Sequence, residues 1–211
     1  MSIRPIEPIR ARLWRSWDVL PPVRLQTTGE IASDFHARGL STYQDAARFV
    51  HDLPYGRNAD RSNWRLVLSE ARGTCSTKHA LLAALAREES IPAHLTVGLY
   101  EMDDHNTPGV GGVLARYGLE HMLEAHCYLR FEGLRVDVTR SRVTPAAPIG
   151  SFLMEETITP DQIGRYKVER HRRLLAQWSS KTGLCRRFTF EQLWQIREEC
   201  IAALAQPSQL R

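Results

Sequence analysis

Apolar residues recur at helical spacing in several separate stretches of this chain. Over 42–51, Ala46, Ala47 and Val50 fall on one helix face, and Ser41 or Thr42 can cap the first turn. The run Leu53-Pro54-Tyr55-Gly56 ends that helix. A second helix is expected over 60–70, with Trp64, Leu66 and Leu68 as its apolar members, before Arg72-Gly73-Thr74 breaks the pattern. A third runs over 75–89: Ala80, Leu81, Ala84, Leu85 and Glu88 keep helical spacing, and alanine favours the helix intrinsically. Ile91-Pro92 stops it. The period then changes. Over 94–101, Leu95, Val97 and Leu99 alternate with their neighbours as in a strand.

The clearest hairpin joins 126–131 to 134–139 through a two-residue Glu132-Gly133 turn. Loops are expected at 106–112 and 145–148; the glycines of the first do not have the spacing or context of a phosphate-binding turn. Two late amphipathic helices are expected over 161–179 and 190–205, the first opening at Thr159 with Pro160 at its first position. Segment 1–25, with Pro5, Pro8, Pro21 and Pro22, reads as irregular chain that packs Trp14 and Trp17 onto the body. The sum is an α+β fold in which a helix beginning at Cys75 packs on an antiparallel sheet, with extra helices at the C-terminus. One domain over 1–211 is expected, with a core at about 41–140 and a helical extension at about 155–206.

Composition narrows this little: 211 residues, 43% hydrophobic and 25% charged, suit one ordinary globular domain. No apolar run approaches the roughly 20 residues of a membrane helix. Residues 1–17 mix arginines with Glu7 and do not form a secretory signal. The four cysteines are irregularly spaced with no CxxC pair, so a reducing, cytoplasmic compartment is expected. Net charge is +4, concentrated over 161–187, where Arg165, Lys167, Arg170, Arg172, Arg173, Lys181, Arg186 and Arg187 face only Asp161 and Glu169. This reads as a solvated helix face, with nucleic acid or an acidic partner as the alternative.

The chemistry lies elsewhere. Thiol catalysis needs a thiolate near neutral pH, a base in reach and a group that orients the base. Cys75 stands at an expected helix N-terminus, where free N–H groups and the dipole lower a thiol pKa and can hold an oxyanion. Gly73 permits close approach of a substrate. With Glu132-Gly133 as the turn, Phe131 faces Leu134, Tyr128 faces Asp137 and His126 faces Thr139. His126 and Asp137 then share a sheet face as diagonal neighbours within side-chain reach.

These segments resemble the transglutaminase-like superfamily, relatives of the papain-type proteases. The matching motifs are Gly73-Thr74-Cys75, the helix through Leu81, Leu82 and Leu85, Ser90-Ile91-Pro92-Ala93, Ala125-His126 and Val136-Asp137-Val138-Thr139, spread over about 43–139. The resemblance implies a papain-like core and a triad of Cys75 as nucleophile, His126 as base and Asp137 as orienting group. It implies acyl transfer at a peptide or amide substrate; no calcium loop is evident in the sequence, so no metal or cofactor is expected. The chain departs from the family at Cys127, where an aromatic often follows the histidine, and in the long 100–124 insertion. Asn58 and Trp64 are candidates for an additional oxyanion donor. Two other readings compete: a zinc site on Cys75, His79 and His126, with His121 and Cys127 nearby, and a catalytically silent binding module whose surface is the basic helix. An arylamine N-acetyltransferase-like enzyme fits less well, since the Arg-Gly-Gly-x-Cys motif is missing.

Overall fold

A computed structural model describes residues 14–139 and 149–205. Its centre is a sheet of five strands, β1 (Trp14–Arg15), β2 (His94–Met102), β3 (Met122–Phe131), β4 (Leu134–Val136) and β5 (Met154–Thr157), ordered β1-β4-β3-β2-β5. The longest ladder pairs β2 with β3 antiparallel, from His94 opposite Arg130 to Met102 opposite Met122. The sheet is mixed rather than antiparallel, because β1 runs parallel to β4, Trp14 beside Arg135 and Arg15 beside Val136. The segment expected to be irregular thus supplies an edge strand, and both its tryptophans pack against the core as anticipated.

The hairpin turn is where the pattern put it. Glu132 (φ 48°) and Gly133 (φ 78°) are both left-handed, as a two-residue I′ turn requires. Phe131 faces Leu134 and Leu129 faces Val136, in the expected register. The ladder stops there, so the expected pairs of Tyr128 with Asp137 and His126 with Thr139 do not form. The backbone groups are drawn elsewhere: Asp137 N–H to the Arg15 carbonyl (3.0 Å), Val138 N–H to the His79 ring (2.9 Å) and Thr139 N–H to the Asp137 carboxylate (2.8 Å).

Seven helices are present among the described residues: α1 (Glu30–His36), α2 (Tyr43–Asp52), α3 (Leu66–Ser69), α4 (Cys75–Glu88), α5 (Gly111–Arg116), α6 (Arg165–Lys181) and α7 (Phe190–Leu204). Thr42 caps α2 by accepting the Asp45 N–H at 3.1 Å. The helix expected over 60–70 shrinks to α3. Asp60 captures the Ser62 N–H (2.8 Å) and Asn63 the Arg65 N–H (3.1 Å), side-chain turns that compete with a helix. The segment expected as loop up to Gly112 already enters α5 at Gly111. Pro160 opens a short 3-10 turn, Pro160–Ile163, and the chain breaks at Gly164 before α6 begins. The loop expected at 145–148 lies outside the described residues.

Helix α4 is the hub. Every residue from Ser76 to Ala86 is buried, the mark of a helix enclosed on all sides. It packs on β3 and β2, with α1 and α2 also against it. Helices α6 and α7 pack on β3 near its start: His171 bonds the Leu123 carbonyl at 3.0 Å, and Arg197 grips Glu124 through two contacts of 2.6 Å. One hydrophobic cluster extends from Leu20 to Cys200. No helix among the described residues is long and apolar enough to cross a membrane.

Candidate active site

The chain enters α4 through a tight bend. A Cβ added at Gly73 would stand 2.9 Å from both Lys78 and Thr77 side-chain atoms, so only glycine lets the strand pass. Thr77 accepts the Thr74 N–H at 3.0 Å and donates its hydroxyl to Asn58 Oδ1 at 2.9 Å. The Asn58 amide donates to Glu70 and to the Arg72 carbonyl, both at 3.0 Å. Asn58 therefore braces the loop and is not an oxyanion donor. Trp64 is not one either: it sits in the core at 6% exposure, its indole N–H directed to Asp161 at 3.4 Å. The donors that remain at Cys75 are the first N–H groups of α4, which have no partner inside a helix.

Cys75, His126 and Asp137 come together. The Cys75 thiol lies close enough to the His126 ring for the two to shift each other's pKa. His126 Nε2 faces Asp137 Oδ2 at 2.9 Å, and Asp137 Oδ1 accepts the Thr139 N–H at 2.8 Å. Burial alone would raise the thiol pKa. The His126 hydrogen bond and charge, the Lys167 charge and the Cys127 N–H outweigh burial and bring the thiol down to about 6. Burial would lower the imidazole, but Asp137 and the thiolate raise it to about 10. Asp137 would be raised by burial; His126, then His79 and the Thr139 bond, hold it far below the usual carboxylate range. A thiolate–imidazolium pair is the resting state these shifts favour. Among the other cysteines, burial pushes Cys127 up to about 11 and Cys200 up to about 12. Cys127 is fully buried on the core side of β3.

His79 has a structural task. Its Nε2 accepts the Val138 N–H at 2.9 Å, so the ring proton lies on Nδ1 and donates to the Cys75 carbonyl at 2.8 Å. Both nitrogens are occupied, and burial drops its pKa to about 4. It has no lone pair for a metal, which removes the central ligand of the zinc reading. His121 instead faces Glu101 and Trp178. Among the described residues no group of three or more His, Cys, Asp or Glu could hold a metal ion.

The sequence pattern missed Lys167. It was counted in a solvated basic face, yet it is 8% exposed and its Nζ meets Ser76 Oγ at 2.7 Å, beside Cys75. The signal was available: Lys167, His171, Leu175 and Trp178 form the buried stripe of α6 at helical spacing. The rest of the cluster is largely engaged, Arg165 with Glu169 (2.6 Å), Arg170 with Glu156 (3.3 Å) and Arg172 over the Phe190 and Trp194 rings. Lys167 and Cys75 line a pocket of about 70 Å³, together with Arg57, Arg61 and Arg197.

Compared with known proteins, the chain matches no family model, no curated protein and no solved structure.

Proposed function

We propose that this protein is a cysteine-dependent acyl-transfer enzyme with a papain- and transglutaminase-like core, acting on a peptide or amide. The observation that carries this reading is the convergence of three groups: the His126 ring contacts Asp137 at 2.9 Å and lies near enough to the Cys75 thiol, at the start of a buried helix, to lower its pKa. Each partner serves the next. Asp137 holds the Nε2–H of His126, leaving Nδ1 to the sulfur, and the helix start offers N–H groups where negative charge develops.

The Cys75 thiolate attacks the amide carbonyl, and the carbon–sulfur bond forms as the oxygen takes up negative charge beside the α4 N–H groups. The tetrahedral adduct collapses, the carbon–nitrogen bond breaks, and His126 gives its proton to the leaving amine. A thioester remains on Cys75. An incoming water or amine then passes a proton to His126 and attacks the thioester, restoring thiolate and imidazolium. Water as acceptor gives a peptidase or amidase; an amine gives a transamidase.

The test is iodoacetamide labelling followed by mass spectrometry at each cysteine. Cys75 should label rapidly near pH 6, ahead of Cys127, Cys185 and Cys200, and should slow in His126→Ala. Amide turnover in a peptide library should vanish in Cys75→Ala while the fold persists. Labelling of Cys75 only above pH 8 would sink the reading and favour a silent binding module.

A further inference from the structure

Lys167 is the one lysine bordering the pocket beside Cys75, and its ammonium is unusually placed. It is 8% exposed, its one recorded hydrogen bond goes to the neutral Ser76 hydroxyl, and it makes no ion pair among the described residues. The anion beside it is the Cys75 thiolate, whose pKa it helps to lower, and no carboxylate pairs with it among the described residues. Nearby carboxylates are already committed. Glu124 is gripped by Arg197 at 2.6 Å through both oxygens, and Glu198 is shared by Arg57 (2.6 Å), Arg197 (2.7 Å) and, at 3.8 Å, Arg61. Four cations, Arg57, Arg61, Lys167 and Arg197, thus meet three anions, Glu124, Glu198 and the Cys75 thiolate, an excess of one positive charge. His171 in the same wall adds none, because burial lowers its pKa to about 4.

We propose that this pocket binds an anionic group of the substrate, a carboxylate or phosphate lying close to the reacting carbonyl, with Lys167 as its buried contact and Arg61 at its rim. The proposal rests on the acyl-transfer reading and narrows its substrate class to acidic acyl donors. Activation of the thiol does not by itself require the arginines: His126, Lys167 and the Cys127 N–H are the groups that lower it. Arg57 and Arg61, both beside Glu198, add positive charge beyond what the thiol needs, and a concave site of net positive charge draws in an anionic group from solution. The pocket's size, about 70 Å³, gives room for a few waters or for the anionic group that would replace them.

The full chain can be tested without knowing the substrate, by comparing alkylation of Cys75 by iodoacetate and by neutral iodoacetamide. Small thiolates repel iodoacetate and react with it more slowly. Here the iodoacetate-to-iodoacetamide rate ratio should exceed that of glutathione by about tenfold, the order expected of one nearby charge, and should fall toward the glutathione value in 0.5 M salt. Lys167→Met should abolish the preference. Arg61→Gln, at an exposed side chain where folding is not at risk, should reduce it severalfold. Using a ratio cancels any change in thiolate fraction. Protection of Cys75 by succinate identifies a carboxylate site, and protection by inorganic phosphate a phosphate site. Protection by neither, or a glutathione-like ratio with rapid iodoacetamide labelling, overturns the anion pocket and leaves the acyl-transfer reading intact. Slow labelling by both reagents overturns both.

Discussion

Lys78 donates to the Thr139 carbonyl at 3.0 Å, tying the helix that presents Cys75 to the segment that carries Asp137. The same fully buried ammonium reaches the carbonyls of His51 (3.2 Å) and Leu53 (2.5 Å) at the end of α2. The last carbonyls of a helix lack partners inside it and favour a cation. One side chain therefore joins three segments around Cys75, His126 and Asp137, one position before His79 links the Cys75 carbonyl to Val138.

Lys78→Met keeps the apolar stem and removes the donor, leaving buried carbonyls short of a partner at about 1–3 kcal/mol each. The expected outcome is a stability loss of about 3 kcal/mol in urea unfolding. The pH midpoint of Cys75 labelling should also move upward, because Asp137 is held less firmly against His126. An unchanged midpoint in a destabilised variant would mean that Lys78 supports only the fold.

The pH dependence of turnover follows from the two shifts. The thiol is lowered to about 6, so the nucleophile is lost as pH falls through that value. The imidazole is raised to about 10, so the proton donor is lost as pH rises through it. A bell-shaped kcat/KM with those limbs is expected. His126→Ala should move the labelling midpoint up toward the roughly 8.5 of a free cysteine.

Asp137→Asn should leave the fold in place and lower the rate by roughly 10⁴-fold, the scale of losing the group that fixes a catalytic histidine's tautomer. The measurement is single-turnover acylation alongside a thermal melt. Full activity would show that the 2.9 Å contact with His126 is structural only.

How far the sequence could be read depended on whether the signal was local. The Cys75 helix and the Glu132-Gly133 turn are local patterns, and from them the meeting of His126 with Asp137 followed, although the ladder ends at Val136 and the two residues make contact beyond its end. Strands β1 and β5 are two and four residues long and take their meaning from distant partners, Arg135 and Gly98 among them. No periodicity marks such short pieces. Asp60 and Asn63 look compatible with a helix until their side chains claim nearby N–H groups. Lys167 is hidden in a sum of charge along the sequence and shows only when the residues of α6 are sorted by helix face.

Glu88 shows another long-range tie. Helix α1 has Gly29 at its cap position and no side-chain cap of its own; Glu88 of α4 accepts the Ile31 and Ala32 N–H groups at 3.1 and 2.8 Å. Glu88→Ala should cost about 1–2 kcal/mol, as for loss of a helix cap, with an unchanged denaturant slope. Hydrogen exchange should rise first in α1. Glu88→Gln retains an acceptor and should lose less.

Two buried neutral histidines set the acid limit of the fold. Burial lowers both His79 and His171 from 6.5 to about 4, against the opposing pull of Asp137 on the first and Glu124 on the second. Between those values the unfolded chain binds protons that the folded chain refuses, so stability falls as pH falls from about 6.5 to 4. The His126 contribution does not offset this, since a raised pKa gives stability that is already complete below the unfolded value. Asp137 stays charged throughout the window, its pKa lying below the carboxylate range. Urea midpoints should therefore drop between pH 7 and pH 4.5. His171→Gln, which keeps a donor for the Leu123 carbonyl but cannot take up a proton, should make that drop smaller. A midpoint that stays constant over this range would mean that neither ring resists protonation in the folded protein.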